Sequence, residues 1–114
     1  MPVSGETKWV TLKEYQTKED LEEELGIVEG TIDWANKASI VMAFAGNLSL
    51  WLGLAGLGVI SAQIYYNDYK AQLEEVLADI EDLPDGTPFE VQQKFRWHAG
   101  KRSWTPVNDL RLVA

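Results

Sequence analysis

Between Lys37 and Asp68 thirty consecutive residues carry no charge, opening Ala38-Ser39-Ile40-Val41-Met42 and closing Ile64-Tyr65-Tyr66-Asn67. A membrane-crossing helix needs about 20 mostly apolar residues, each adding ~1.5 Å, and the stretch from Ile40 to Ile64 meets that length. The run predicts one transmembrane helix over residues 34–66. A helix at the centre of a globule would instead need apolar neighbours on all sides, which the flanking sequence supplies sparsely. Two crossings would need nearly twice the apolar length, so a helical hairpin is not expected. A signal peptide is not expected, because the run is internal, acidic residues precede it and no small-residue cleavage pattern follows a short apolar region near the start. Trp34 on one side and Tyr65, Tyr66 and Tyr69 on the other are placed as interface anchors, because rings with a polar atom favour the headgroup level.

Beyond Tyr69 the pattern becomes amphipathic. Leu73, Val76, Leu77, Ile80 and Leu83 recur at helical spacing opposite Glu74, Glu75, Asp79, Glu81 and Asp82, which predicts a juxtamembrane helix over residues 67–83. Leu83-Pro84-Asp85-Gly86 stops it. From Phe89 the period shifts to two, with Phe89, Val91, Phe95 and Trp97 alternating with polar residues. His98-Ala99-Gly100-Lys101 then turns the chain into a second apolar run, so residues 84–114 read as a β-hairpin tail. Such a hairpin is marginal alone and needs a surface to pair with.

The acidic segment 1–33 holds two helix starts, Thr11-Leu12-Lys13-Glu14 and Thr17-Lys18-Glu19-Asp20, each with an acid three residues after a hydroxyl. The second helix is expected to end at Gly26. Glu19 to Ile32 imitates a DNA-reading helix-turn-helix, but Glu22 is too large for the helix crossing, and Glu29 and Asp33 would repel phosphate. The expected fold is therefore mainly α: short N-terminal helices, a single transmembrane helix continuing into an amphipathic helix, and a small C-terminal β-hairpin.

Inside the apolar run, Met42, Gly46, Ser49, Gly53, Gly56 and Ile60 follow one helical face. Small residues at this spacing let backbones approach closely, so the face is the expected contact with a partner helix. Asn47 beside it needs a hydrogen-bond partner if it leaves water. No ionisable group interrupts the run, which argues against a proton relay or voltage sensor in this chain.

Charge alters the picture at the two ends. The chain carries 10 Lys and Arg against 18 Asp and Glu, a net charge of -8, yet the last 21 residues are basic at +4. Lys94, Arg96, Trp97, Lys101, Arg102 and Trp104 form an expected patch for lipid headgroups or an acidic partner surface. Single-stranded nucleic acid fits poorly with so acidic a chain, and no nucleic-acid partner is expected.

Candidate chemistry is sparse. There is no Cys, which removes disulfides, thiolate metal sites and thiol nucleophiles. His98 is the only histidine and falls in the turn without other ligands at metal spacing. Gly53 to Gly58 lacks the Lys and the strand-turn-helix setting of a phosphate loop. Neither catalysis nor a cofactor or metal is expected.

These readings lead to a non-catalytic, single-pass accessory subunit of a larger membrane complex, an energy-converting one being a natural setting. It would pack on integral membrane subunits through the small-residue face and dock through its extramembrane segments; the same face would also serve a homo-oligomer. The alternative is a membrane-active, self-associating protein such as a phage holin or a bacteriocin-like precursor. Localisation follows as integral to a membrane, with the basic C-terminal tail placed on the cytoplasmic side.

Overall fold

The computed structural model describes residues 2–25, 38–54, 56 and 61–114. Six elements follow in order: β1 (Thr7–Tyr15), α1 (Lys18–Glu24), α2 (Ala38–Leu54), α3 (Ala62–Glu81), β2 (Phe89–His98) and β3 (Ser103–Val113). The three strands form an antiparallel sheet in the order β1-β2-β3. The helices occupy one face of it, and the other face carries mainly polar and charged residues together with Trp9.

This architecture corrects the mainly-α membrane fold expected from the hydrophobic run. Among the described residues, no helix is long and apolar enough to cross a membrane. The apolar run is not one helix: α2 stops at Leu54 and α3 starts at Ala62. The reason lies in two local signals that the density of apolar residues obscures. Gly56 adopts φ +72, a left-handed conformation that ends helices, and its N–H donates to Gly53 O at 3.1 Å. Ser61 then opens α3 as its N-cap, accepting from Ile64 N at 3.2 Å. The chain makes two helices where one was expected, so the single-pass reading, the integral-membrane localisation with its cytoplasmic C terminus, and the transmembrane anchor itself are overturned. The holin-like alternative loses its spanning helix on the same ground.

The apolar partners that seemed too few come from amphipathic elements. Ile40, Val41, Phe44, Ala45, Leu48 and Leu52 form the inner stripe of α2. They share one core with Tyr65, Tyr69, Leu73, Val76, Leu77 and Ile80 of α3 and with Phe89, Val91 and Phe95 of β2. The stripe expected on residues 67–83 thus packs inward, within a helix that begins at Ala62 instead of emerging from a bilayer.

At the N terminus, Thr11 to Glu14 is strand, not helix. Its cap-like spacing is overridden because β1 pairs with β2, from Thr7 opposite Arg96 to Tyr15 opposite Phe89. Leu12 is the extra residue of a bulge between Thr11 and Lys13, and it turns into the core. The second capping signal is used: Thr17 Oγ1 accepts from Asp20 N at 3.3 Å and α1 runs to Glu24. Gly26, its expected stop, lies outside the described residues.

Strands β2 and β3 form a hairpin, and β1 of the same chain supplies the pairing surface that an isolated hairpin lacks. The hairpin is irregular. Between the pairs Gln93–Leu110 and Phe95–Pro106, one residue of β2 faces three of β3, so carbonyls of β3 lose their ladder partners. Gln93, the single polar residue fully enclosed among the described residues, sits at this point.

Candidate interaction surface

Helix α2 has two apolar faces, and among the described residues only one is packed into the core. Opposite the buried stripe, Gly46, Ser49, Leu50, Gly53 and Leu54 line an open groove of about 590 Å³. Their spacing of three and four residues puts all five on one side of the helix. Leu50 remains 57% exposed and Leu54 67%, and Ile64 near the start of α3 remains 54% exposed. No residue of α2 is charged. Single exposed leucines are ordinary, but large side chains gathered beside an uncharged groove mark a contact surface.

The groove exists because small residues alternate with large ones. Gly46 leaves room for the start of α3, where a Cβ added to it would lie 3.7 Å from Ala62 Cβ. Ser49 keeps its hydroxyl satisfied within the helix by donating to Gly46 O at 2.9 Å, so it presents little polarity outward.

Of the residues expected on the packing face, Met42, Gly46, Ser49 and Gly53 lie on α2, with Met42 half-buried and Gly53 exposed. Gly56 belongs to the turn. Ile60 lies outside the described residues.

The expected interface anchors have other roles. Tyr65 and Tyr69 stack at 4.5 Å inside the core, and Tyr66 is half-buried against it with Lys70 Nζ 5.9 Å from its ring. Trp34 lies outside the described residues.

The basic aromatic patch is divided by the pleat. Lys94 and Arg96 project from the outer face, where Lys94 pairs with Asp109 at 4.0 Å and stands 5.7 Å from the Trp9 ring. Trp97 and Trp104 share the inner face beyond the helices in an edge-to-face pair 5.5 Å apart, with Lys8 Nζ 4.3 Å from the Trp104 ring. Lys101 and Arg102 are exposed in the turn, where Arg102 takes φ 49. These six residues do not make one surface. His98 is part of the same turn, its Nδ1 accepting from Lys101 N at 3.2 Å.

A polar cluster that the sequence did not reveal joins β1, α1 and α2. Asn47 Nδ2 donates to the Tyr15 hydroxyl at 3.2 Å, and Trp51 Nε1 donates to Glu24 Oε1 at 2.7 Å. Lys13 Nζ lies 4.1 Å from the Trp51 ring. Burial pushes the Tyr15 hydroxyl well above the ordinary tyrosine range; its hydrogen bond to Glu24 and the charge of that carboxylate push the same way, and the Asn47 contact opposes them. Asn47 therefore finds its partner within the chain. The cluster borders an open cleft of about 370 Å³ that also holds Glu14, Asp20 and Glu23. Among the described residues, no group of three or more His, Asp or Glu side chains could hold a metal ion.

Tyr15 stacks on Phe89 at 5.2 Å, so the cluster is fixed to the sheet as well as to the helices. Its geometry serves to lock three elements together. Among the described residues, Leu50 and Leu54 of the α2 groove stay largely uncovered. Comparison with protein-family models, curated proteins and solved structures finds no match for this chain.

Proposed function

We propose that this chain is a non-catalytic assembly module, a structural subunit that joins a larger complex by laying the outer face of α2 against an apolar helix. The observation that carries the reading is the exposure of Leu50 and Leu54 along a charge-free groove floored by Gly46, Ser49 and Gly53. Covering apolar area is favourable by about 25 cal/mol per Å², and small residues in the groove floor let a second backbone come near. The buried hydroxyls and amides of the fold are engaged in holding its own elements, and the reading assigns them no chemistry on a substrate.

The test is a double substitution, Leu50→Glu with Leu54→Glu. Both side chains point outward, so the variant should fold and melt as the parent does. The parent should bind the apolar dye anilinonaphthalene sulfonate, and the variant should lose that binding together with any stoichiometric partner that copurifies with the parent. If the variant keeps both, the α2 face is not the docking surface.

A further inference from the structure

Independently of α2, we propose that the β2–β3 turn and the residues beside it form a peripheral contact site for an anionic phospholipid surface. The indoles of Trp97 and Trp104 sit at headgroup level in this contact, which needs no spanning segment. Charge, side-chain chemistry and shape each favour that occupant.

Charge is spread unevenly along the sheet. Pairing sets Thr7 opposite Arg96 near one end and Tyr15 opposite Phe89 at the other, about 23 Å apart at ~3.3 Å per residue. At the turn end, residues 5–9 and 95–105 hold Lys8, Arg96, Lys101 and Arg102 against Glu6 alone. The far end sets Glu14 opposite Glu90, and five of the seven residues of α1 beside it are acidic. Screening acts over ~8 Å at physiological salt, so a negative surface touching the turn is attracted by the near cations and hardly feels the distant carboxylates. The net charge of -8 therefore does not forbid the contact.

The side chains at this end mix cations with apolar groups that reach solvent. Trp97 and Trp104 stand edge to face at 5.5 Å, and Lys8 Nζ lies 4.3 Å from the Trp104 ring. Val3, 72% exposed, is held at the same end: its carbonyl accepts from Glu6 N at 2.9 Å, and Gly5 N donates to Trp97 O at 3.1 Å. Indole rings favour the headgroup level of a bilayer, and a neighbouring ammonium or guanidinium group meets the phosphates there. A purely polar acidic surface would give Val3 and the indoles nothing to bury against.

Shape and backbone agree. The turn lies past Phe95, the last core residue of β2, and its Lys101 and Arg102 are exposed. Such a convex end meets a plane of headgroups, whereas a single nucleic-acid strand is held in a positive groove over several nucleotides. Arg102 takes φ 49, a left-handed position that Gly fills at less cost, so the turn keeps a cation at its apex against the local backbone preference.

Cosedimentation of the full chain with lipid vesicles tests the site. The chain should bind vesicles of phosphatidylcholine mixed with phosphatidylglycerol and not vesicles of phosphatidylcholine alone, and added salt should weaken the binding. Lys101→Gln with Arg102→Gly should melt as the parent does, since both side chains are exposed and Gly suits the left-handed position, yet bind about 25-fold more weakly, at about fivefold per cation. Lys70→Gln with Lys94→Gln changes the net charge equally, away from the turn, and should bind as the parent does. Brominated phosphatidylcholine in the anionic vesicles should quench indole fluorescence in the parent, and Trp97→Phe with Trp104→Phe should remove that quenching. Equal binding to both vesicle types, binding to neither, or an equal loss in the two charge pairs would overturn the site. So would vesicle binding that survives in the turn pair and disappears in the Leu50→Glu, Leu54→Glu variant, which would move the lipid contact to α2. Turn-dependent binding of a single-stranded oligonucleotide with no vesicle binding would overturn lipid as the ligand.

Discussion

The Tyr65 hydroxyl donates to Gln93 Oε1 at 2.8 Å, linking the first turn of α3 to the point where the β2–β3 ladder breaks. The Nε2 of the same amide reaches Val107 O at 2.6 Å and Asp109 O at 3.1 Å, and it lies 3.1 Å from Lys94 O. A bulge of three residues against one leaves β3 carbonyls without backbone partners, and a buried carbonyl without a partner is costly. Gln93 supplies the missing donors from the opposite strand, and Tyr65 satisfies its oxygen.

Replacing Gln93 by Leu should therefore destabilise the fold by about 2–4 kcal/mol, since it strands β3 carbonyls and the Tyr65 hydroxyl together. Tyr65→Phe removes one donor and leaves only Oε1 unsatisfied, so its cost should be near ~1 kcal/mol. Urea unfolding measures both. Equal losses for the two variants would show that the bulge does not depend on the amide.

Alkaline pH should unfold the protein through its tyrosines. Burial raises the Tyr65 hydroxyl well above the ordinary range, with neighbouring Tyr69 adding to the effect, and it raises Tyr69 to about 12 against an opposing hydrogen bond from Gln93. Tyr15 is raised in the same direction. Each group binds its proton more tightly when folded than when unfolded, where tyrosine ionises near pH ~10. Their stability contribution is complete below that pH and is lost as pH rises towards the folded values. Melting temperature should hold steady up to about pH 10 and fall between about pH 10 and 12, and Tyr65→Phe should flatten the fall.

Much of this was legible in the chain, and the exceptions have physical causes. The helical spacing of Leu73, Val76, Leu77 and Ile80 and the Thr17–Asp20 cap announced α3 and α1, because those signals are local. Gly56 and Ser61 also carry stop and start chemistry, but thirty uncharged residues around them read more strongly as a span. The strand character of Thr7–Tyr15 depends on pairing with the distant β2, which local spacing does not encode. Gln93 was within reach: the alternation of Phe89, Val91 and Phe95 places it on the inner face, where a polar residue demands partners. The outward stripe of α2 was visible as small-residue spacing. That its other side would be covered by this chain's own core was not, because apolar residues surround the helix.

The end of α2 and the start of α3 should respond to those two local signals. Gly56→Ala forces a side chain into a left-handed backbone, with a cost of about 1–2 kcal/mol even though the space around it is open. Ser61→Ala removes the cap on α3, at about 1 kcal/mol. Thermal melts of the two variants should show both losses. A neutral Gly56→Ala would mean that the helix break does not need this residue.

Lys18 should matter more than the ion pair it makes. Its Nζ donates to Glu81 O at 2.8 Å, placing a cation at the C-terminal end of α3, and it lies 4.0 Å from Asp85, whose side chain is 94% exposed. A cation beside terminal helix carbonyls contributes about 0.3–1 kcal/mol, whereas an exposed pair is screened by solvent. Lys18→Met should lower stability by that amount and Asp85→Asn should leave it unchanged within error, as read by urea midpoints. The reverse order would assign the contact to the ion pair.

Leu50 and Leu52 stand two positions apart on α2, yet one is 57% exposed and the other is fully enclosed. A helix that crossed a membrane would treat both as lipid-facing or partner-facing positions of similar worth. In this fold they belong to different surfaces. Leu52→Ala opens a cavity in the shared core and should cost about 2–5 kcal/mol. Leu50→Ala removes a side chain that faces outward, so the fold itself should change by less than about 0.5 kcal/mol. Denaturant unfolding under dilute conditions, where any contact between chains is dissociated, reads the two values directly. Comparable losses at both positions would mean that the outer face of α2 is packed within the chain, and the proposed docking groove would go with it.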